Sequence, residues 1–218
     1  MQSYIMSNSN YNDNVFINCP FDEQFIPLFR AITFTILDCG FIPRCSLEVS
    51  DATQFRLKAI LDIVSESRYG VHDLSRVELD DSYRLPRFNM PFELGIFFSA
   101  KHFGENEQKR KQCIVLEKAK YRYQKYISDI SGIDVAAHGN VINSIVSSVR
   151  NWLVTASRKR TIPAAADVSK RFKKFDREFK KICAQRNIDY ESMPFVEITR
   201  NMSHWLAINQ LEGEPFFQ

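Results

Sequence analysis

The sequence is poor in glycine and has no long apolar run. Seven glycines stand against eighteen phenylalanines. Few glycines leave little room for flexible linkers, and the phenylalanines can fill a large core. No apolar stretch approaches the roughly 20 residues a membrane span needs, so no membrane partner is expected. The first residues, MQSYIMSNSNYNDN, hold neither a basic segment nor an apolar one, and predict no signal peptide. Residues 1–13 read as a disordered lead. The five cysteines (Cys19, Cys39, Cys45, Cys113 and Cys183) are odd in number and include no CxxC pair. They predict reduced, buried thiols in a cytoplasmic protein. No Cys/His pair has zinc-ligand spacing, so no metal and no bound cofactor is expected. Both GxGxxG and GxxxxGK followed by Ser or Thr are missing. That disfavours an ordinary dinucleotide fold and a P-loop NTPase.

What the chain does contain is a regular alternation. Its 218 residues suffice for one domain with an appendage. Val15–Asn18 (VFIN), Phe41–Cys45 (FIPRC), Tyr69–Leu74 (YGVHDL) and Lys111–Glu117 (KQCIVLE) are short β-branched or aromatic runs that predict strands. Pro20 ends the first, and Pro43 places the second at a sheet edge. Between them, apolar residues at helical spacing predict helices over Phe25–Leu37, Thr53–Glu66 and the segment MPFELGIFFSAKHF. Gly40 is a candidate left-handed cap for the first of these. Strands alternating with helices predict a parallel sheet in a flavodoxin-like three-layer α/β domain, spanning residues 14–160. The segment KAKYRYQKYISDISGIDVAAHGN reads as an ordered loop over one sheet end. Val141–Leu153 predicts another helix. TIPAAAD marks a boundary, after which 161–218 reads as a basic helical C-terminal extension.

Formal net charge is +3, unevenly placed. Between Arg150 and Tyr190 basic residues outnumber acidic ones, as in SKRFKKFDREFKK. That run is either a face attracting nucleic acid or nucleotides, or the solvated side of amphipathic helices.

The chemistry concentrates in Tyr69–Ala100. Asp73 ends a predicted parallel strand, at the edge where open α/β sheets bind ligands. Its alternative role is to cap a turn through Asp73-Leu74-Ser75. Glu93 follows Pro91 in what reads as the first turn of a helix, where the dipole favours its ionised form. It suits a carboxylate nucleophile or a stabiliser of an oxocarbenium-like centre, or else it only compensates the dipole. Arg76, Arg84, Arg87 and Asn89 lie between the two acids. They suit phosphate or carboxylate groups, although Arg87 and Asn89 can instead hold the helix start. Asn18 and Asp22 border the same edge and suit ribose hydroxyls. Asp129, Asp134 and His138 suit acid–base work, a metal, or hydrogen bonding within their loop.

The motifs VFINCPFDEQF, ILDIVSESRYGVHDLSR and MPFELGIFFSA resemble those of the TIR-like and nucleoside 2-deoxyribosyltransferase-like group of small flavodoxin-like domains. The resemblance covers roughly Val15–Glu117. It implies that Glu93 acts at the anomeric carbon of a ribosyl group and that Asp73 orients the ribose or the glutamate. It implies a substrate-binding set of Asn18, Pro20, Phe21, Asp22, Ser75, Arg76, Arg87 and Asn89, with Phe21 and its loop bordering base and sugar. The implied activity is cleavage or transfer at an N-glycosidic bond of a nucleoside or of NAD, with NAD as substrate rather than cofactor. Members often act in bacterial antiphage defence and as homo-oligomers or with a partner protein. A non-catalytic module that binds a nucleotide signal is the second expectation. The long segment between Ser75 and Asn89 and the basic C-terminal part depart from the family pattern.

Overall fold

The computed structural model describes residues 11–51, 53–76 and 87–210. Residues 1–10 of the expected lead, Arg84 with most of the Ser75–Asn89 segment, and residues 211–218 lie outside these. Tyr11–Asp13, within the span 1–13 that the sequence reads as a lead, are among the described residues and contact the domain. The Tyr11 hydroxyl donates to the Glu107 carbonyl at 2.6 Å, and Asp13 pairs with Lys159 at 2.7 Å.

Strand β1 (Asn14–Asn18) and strand β3 (Tyr69–Asp73) are buried along their whole length. Burial on both faces is why they read as continuous rather than alternating apolar runs. They pair in parallel, Val15 opposite Tyr69 and Asn18 opposite His72. Strand β2 (Ile42–Arg44) pairs with β1 at the edge that Pro43 predicts. Strand β4 (Gln112–Glu117) pairs with β3. A fifth strand, β5 (Val135–Ala137), pairs with β4 inside the segment that reads as loop. The all-parallel order is β2-β1-β3-β4-β5, the flavodoxin-like order, whose reversal point falls between β1 and β3.

Helices cover both faces. On one side lie α1 (Ile26–Asp38) and α4 (Ile142–Ser157); on the other lie α2 (Arg56–Ser65) and α3 (Asn89–Phe103). Val15, Ile17, Tyr69 and Val71 face the first pair, while Phe16 packs with Ile60, Ile63, Val64 and Phe97 of the second. Gly70 lets α3 come close: a Cβ there would lie 2.7 Å from His72 Nε2 and 3.0 Å from the Phe97 ring.

The C-terminal helices α5 (Ala165–Gln185) and α6 (Phe195–Gln210) form a further layer over α1 and α4 and share their core. Helix α1 is therefore buried nearly all round, as its many apolar positions predict. Phe34 meets the rings of Phe172, Phe175 and Trp205. Two ion pairs fasten the layer. Arg30 reaches Glu191 at 2.8 Å and lies 3.8 Å over the Tyr190 ring, and Arg171 grips Asp38 at 2.9 Å. None of the described helices is long and apolar enough to cross a membrane.

Candidate functional site

Asn18, the last residue of β1, projects toward α3. Its amide nitrogen donates to the Met90 carbonyl at 2.8 Å and to His72 Nδ1 at 3.1 Å. With Nδ1 accepting, the ring proton sits on Nε2, which finds no partner among the described residues. Burial, with a smaller push from the Lys111 charge, holds His72 down to about 3. It is therefore a neutral strut between Phe16 and Phe97, not a base at physiological pH. Both donors of Asn18 are spent on the fold, which argues against its expected service to ribose hydroxyls.

Asp73 ends β3 and points to the opposite face of the sheet. Its Oδ1 accepts the Ser75 N–H at 2.8 Å, the Asx turn that the Asp73-Leu74-Ser75 run allows. His138, just past β5, brings Nε2 to 2.9 Å from Ser75 Oγ and 3.0 Å from Asp73 Oδ2. The Oδ2 contact is close, but it lacks the alignment of a directed hydrogen bond. His138 Nδ1 accepts the Asn140 N–H at 3.1 Å, so the neutral ring holds its proton on Nε2. Serine and aspartate thus meet the same nitrogen. A Ser-His-Asp triad needs them on opposite nitrogens, so Ser75 is not an activated nucleophile. All three residues are buried, and Phe25 closes over the imidazole at 6.2 Å. Among the described residues no contact joins Asp73 to Glu93, so the implied orientation of the glutamate by Asp73 is not what the geometry gives.

Glu93 is the fifth residue of α3, in its second turn. The helix begins two residues before Pro91, which its missing N–H permits in a first turn. The expected dipole effect on a first-turn carboxylate is therefore absent. Glu93 is 8% exposed and makes no hydrogen bond to a described residue. Burial drives its carboxyl up to about 7, against a smaller opposing effect of Arg56. A carboxyl poised there can both give and take a proton at neutral pH.

Asp22 is bound by Arg76 through two bonds, Nε to Oδ2 at 2.8 Å and Nη2 to Oδ1 at 2.7 Å. Arg87 Nη1 stands 3.8 Å away. Burial pushes the Asp22 carboxyl up, but Arg76, the Phe25 N–H and Arg87 outweigh it and hold the group below its usual range. This cluster draws the first-strand loop to the start of the Ser75–Asn89 segment. Pro20 is buried, Phe21 packs edge-on to Phe29 at 5.1 Å, and Asn89 is exposed at the start of α3. Asp129 and Asp134 are exposed and do not join His138. Among the described residues no set of three His, Cys, Asp or Glu side chains gathers around a metal position.

Sequence reasoning missed the clamp at the end of β4. Buried Glu117 accepts Arg122 Nε at 2.9 Å, and Arg122 also donates to the Ser75 carbonyl. An acid ending a strand, with an arginine five residues on, was the available signal. A cavity of about 530 Å³ lies between α2 and α3, lined by Leu61, Val64, Pro91, Phe92 and Ile96. It backs onto the helix of Glu93 without including that residue, and its lining is apolar apart from Ser65 and Ser99.

No family model, curated protein or solved structure matches the chain.

Proposed function

We propose that the chain cleaves or transfers at an N-glycosidic bond of a nucleotide, with NAD the first substrate to test and Glu93 the reacting carboxylate. The observation that carries this reading is one buried carboxyl, without a hydrogen-bond partner among the described residues, held near neutrality on a helix beside the reversal point of a parallel sheet. Breaking the bond to nicotinamide sends its electron pair to the ring nitrogen and leaves positive charge on the ribose. Ionised Glu93 would stabilise or trap that centre before water completes hydrolysis. The TIR-like resemblance of the FELG and DLS motifs supports the same choice and brings with it the idea of a defence role. Incubation with NAD and with deoxynucleosides, followed by product analysis, tests the reading. Glu93→Gln should lose roughly a hundredfold or more in rate. Full activity in that variant would sink the mechanism, and tight nucleotide binding without turnover would favour a non-catalytic signal-binding module.

A second reading concerns α5. Lys170, Lys173, Arg177 and Lys181 are exposed along one stripe of this helix and make no ion pair with a described residue. Two of the three acids of the helix are occupied, since Asp176 takes the Tyr190 hydroxyl and Lys180 and Glu178 takes the Trp205 N–H; the third, Asp167, stands exposed in the first turn. A single-sign stripe roughly 16 Å long suits a phosphate backbone. The reading requires duplex binding whose affinity falls steeply with salt, with a slope reduced by about one for each lysine changed to glutamate.

A further inference from the structure

The segment after β4 combines three features that the Glu93 reading leaves unused. First, Tyr121 has φ 62° and ψ 0°, the left-handed region. A bulky side chain is costly there, where glycine or asparagine would be easier. Second, the Tyr121 side chain is 69% exposed. Its ring and hydroxyl make no contact with a described aromatic or hydrogen-bonding group. Third, Lys118, Lys120 and Lys125 lie within four residues of it in the chain, all exposed.

The segment is nevertheless held firmly. Arg122 is gripped by Glu117, the Tyr123 hydroxyl donates to the Ile133 carbonyl at 2.8 Å, and the Tyr126 hydroxyl donates to the Leu74 carbonyl at 3.0 Å. The fold therefore fixes the backbone on both sides of Tyr121 and leaves its ring in solvent. It does so at the C-terminal edge of the sheet, against the loop that carries Ser75. A firmly held, exposed aromatic ring with lysines on both sides of it in sequence suits a flat base with phosphates attached.

We propose that Tyr121 is a stacking platform for the second base of a dinucleotide, with Lys118, Lys120 and Lys125 taking the pyrophosphate. The assignment rests on the reading that this edge binds a nucleotide. Strand β4 lies two strand spacings, about 10 Å, from β1, and the Glu93 helix starts beside β1. A ligand with its ribose at Glu93 and a base on Tyr121 must therefore be longer than a mononucleotide.

The test is calorimetric binding of NAD and of nicotinamide mononucleotide to Glu93→Gln protein, in which turnover plays no part. Adding Tyr121→Ala should weaken NAD roughly five- to hundredfold, the range for loss of one aromatic stack. Tyr121→Phe should bind NAD as the parent does, and the mononucleotide should be indifferent to both changes. Lys118→Glu with Lys120→Glu should weaken NAD and flatten its salt dependence. Equal NAD affinity in Tyr121→Ala and the parent overturns the platform, as does equal weakening of both ligands, or no NAD binding by the parent. Failure of the Glu93 mechanism looks different: wild-type protein then binds NAD through Tyr121 without consuming it.

Discussion

Asp73 and His138 meet across an intervening strand. One ends β3, the other follows β5, and Nε2 lies 3.0 Å from Oδ2 with both side chains fully buried. The contact joins the edge of the sheet to its centre.

Removing His138 should take away the hydrogen-bond partner of Ser75 Oγ and the 3.0 Å neighbour of the buried Asp73 Oδ2. His138→Ala is expected to cost about 2–4 kcal/mol, measured as urea unfolding at pH 7. Asp73→Asn, which keeps the shape and removes the charge, should cost less. If both variants are as stable as the parent, the contact contributes nothing.

Glu93 should make stability pH-dependent in an unusual sense. Its folded value, about 7, lies above the ordinary carboxyl value, so the folded state holds the proton longer. Stability from this group is fully present below about pH 4.5 and is lost as pH rises toward 7. Glu93→Gln should therefore gain on the parent across that range, by roughly 2 kcal/mol at pH 8 after allowance for partial exposure. Denaturant titrations at several pH values check the sign. A constant difference from pH 4 to 8 would show an ordinary carboxyl.

The same value sets the expected rate profile. Nicotinamide leaves without needing a proton, so kcat/KM for NAD should rise through about pH 7 and then level. A profile that falls above pH 7 would instead assign Glu93 as proton donor to a more basic leaving group.

Gly70→Ala should destabilise through crowding, by about 1–3 kcal/mol. The added methyl meets His72 Nε2 and Phe97, both fully buried, and neither has room to swing aside. Thermal unfolding would detect the change, and an unaltered midpoint would show that α3 can shift away from β3.

The sheet was legible because VFIN, YGVHD and CIVLE are β-branched or aromatic runs whose polar residues fall only at their C-terminal ends, in keeping with strands covered on both faces. Strand β5 was not. VAA is three half-buried residues, too short to show a period. With β5 hidden, the partner of Asp73 was hidden too, since Ser75 and His138 are 63 residues apart and meet only through the β4–β5 register. Glu93 was visible as an acid among apolar neighbours. Its place in the helix was less legible, because Pro91 marks a helix start in sequence while α3 begins at Asn89 and puts Glu93 in the second turn. Asn18 looked free because nothing local shows that Met90 and His72 take both its amide hydrogens.

The layer over α1 has a consequence for biosynthesis. Phe29 and Phe34 are translated early, but their covering partners Phe195 and Trp205 follow well over a hundred residues later. At about 5–20 residues per second, that leaves α1 without its α6 cover for roughly 10–30 s on the ribosome. The growing polypeptide thus carries a sticky aromatic ridge until α6 emerges, and a chaperone that shields such ridges would act within that interval.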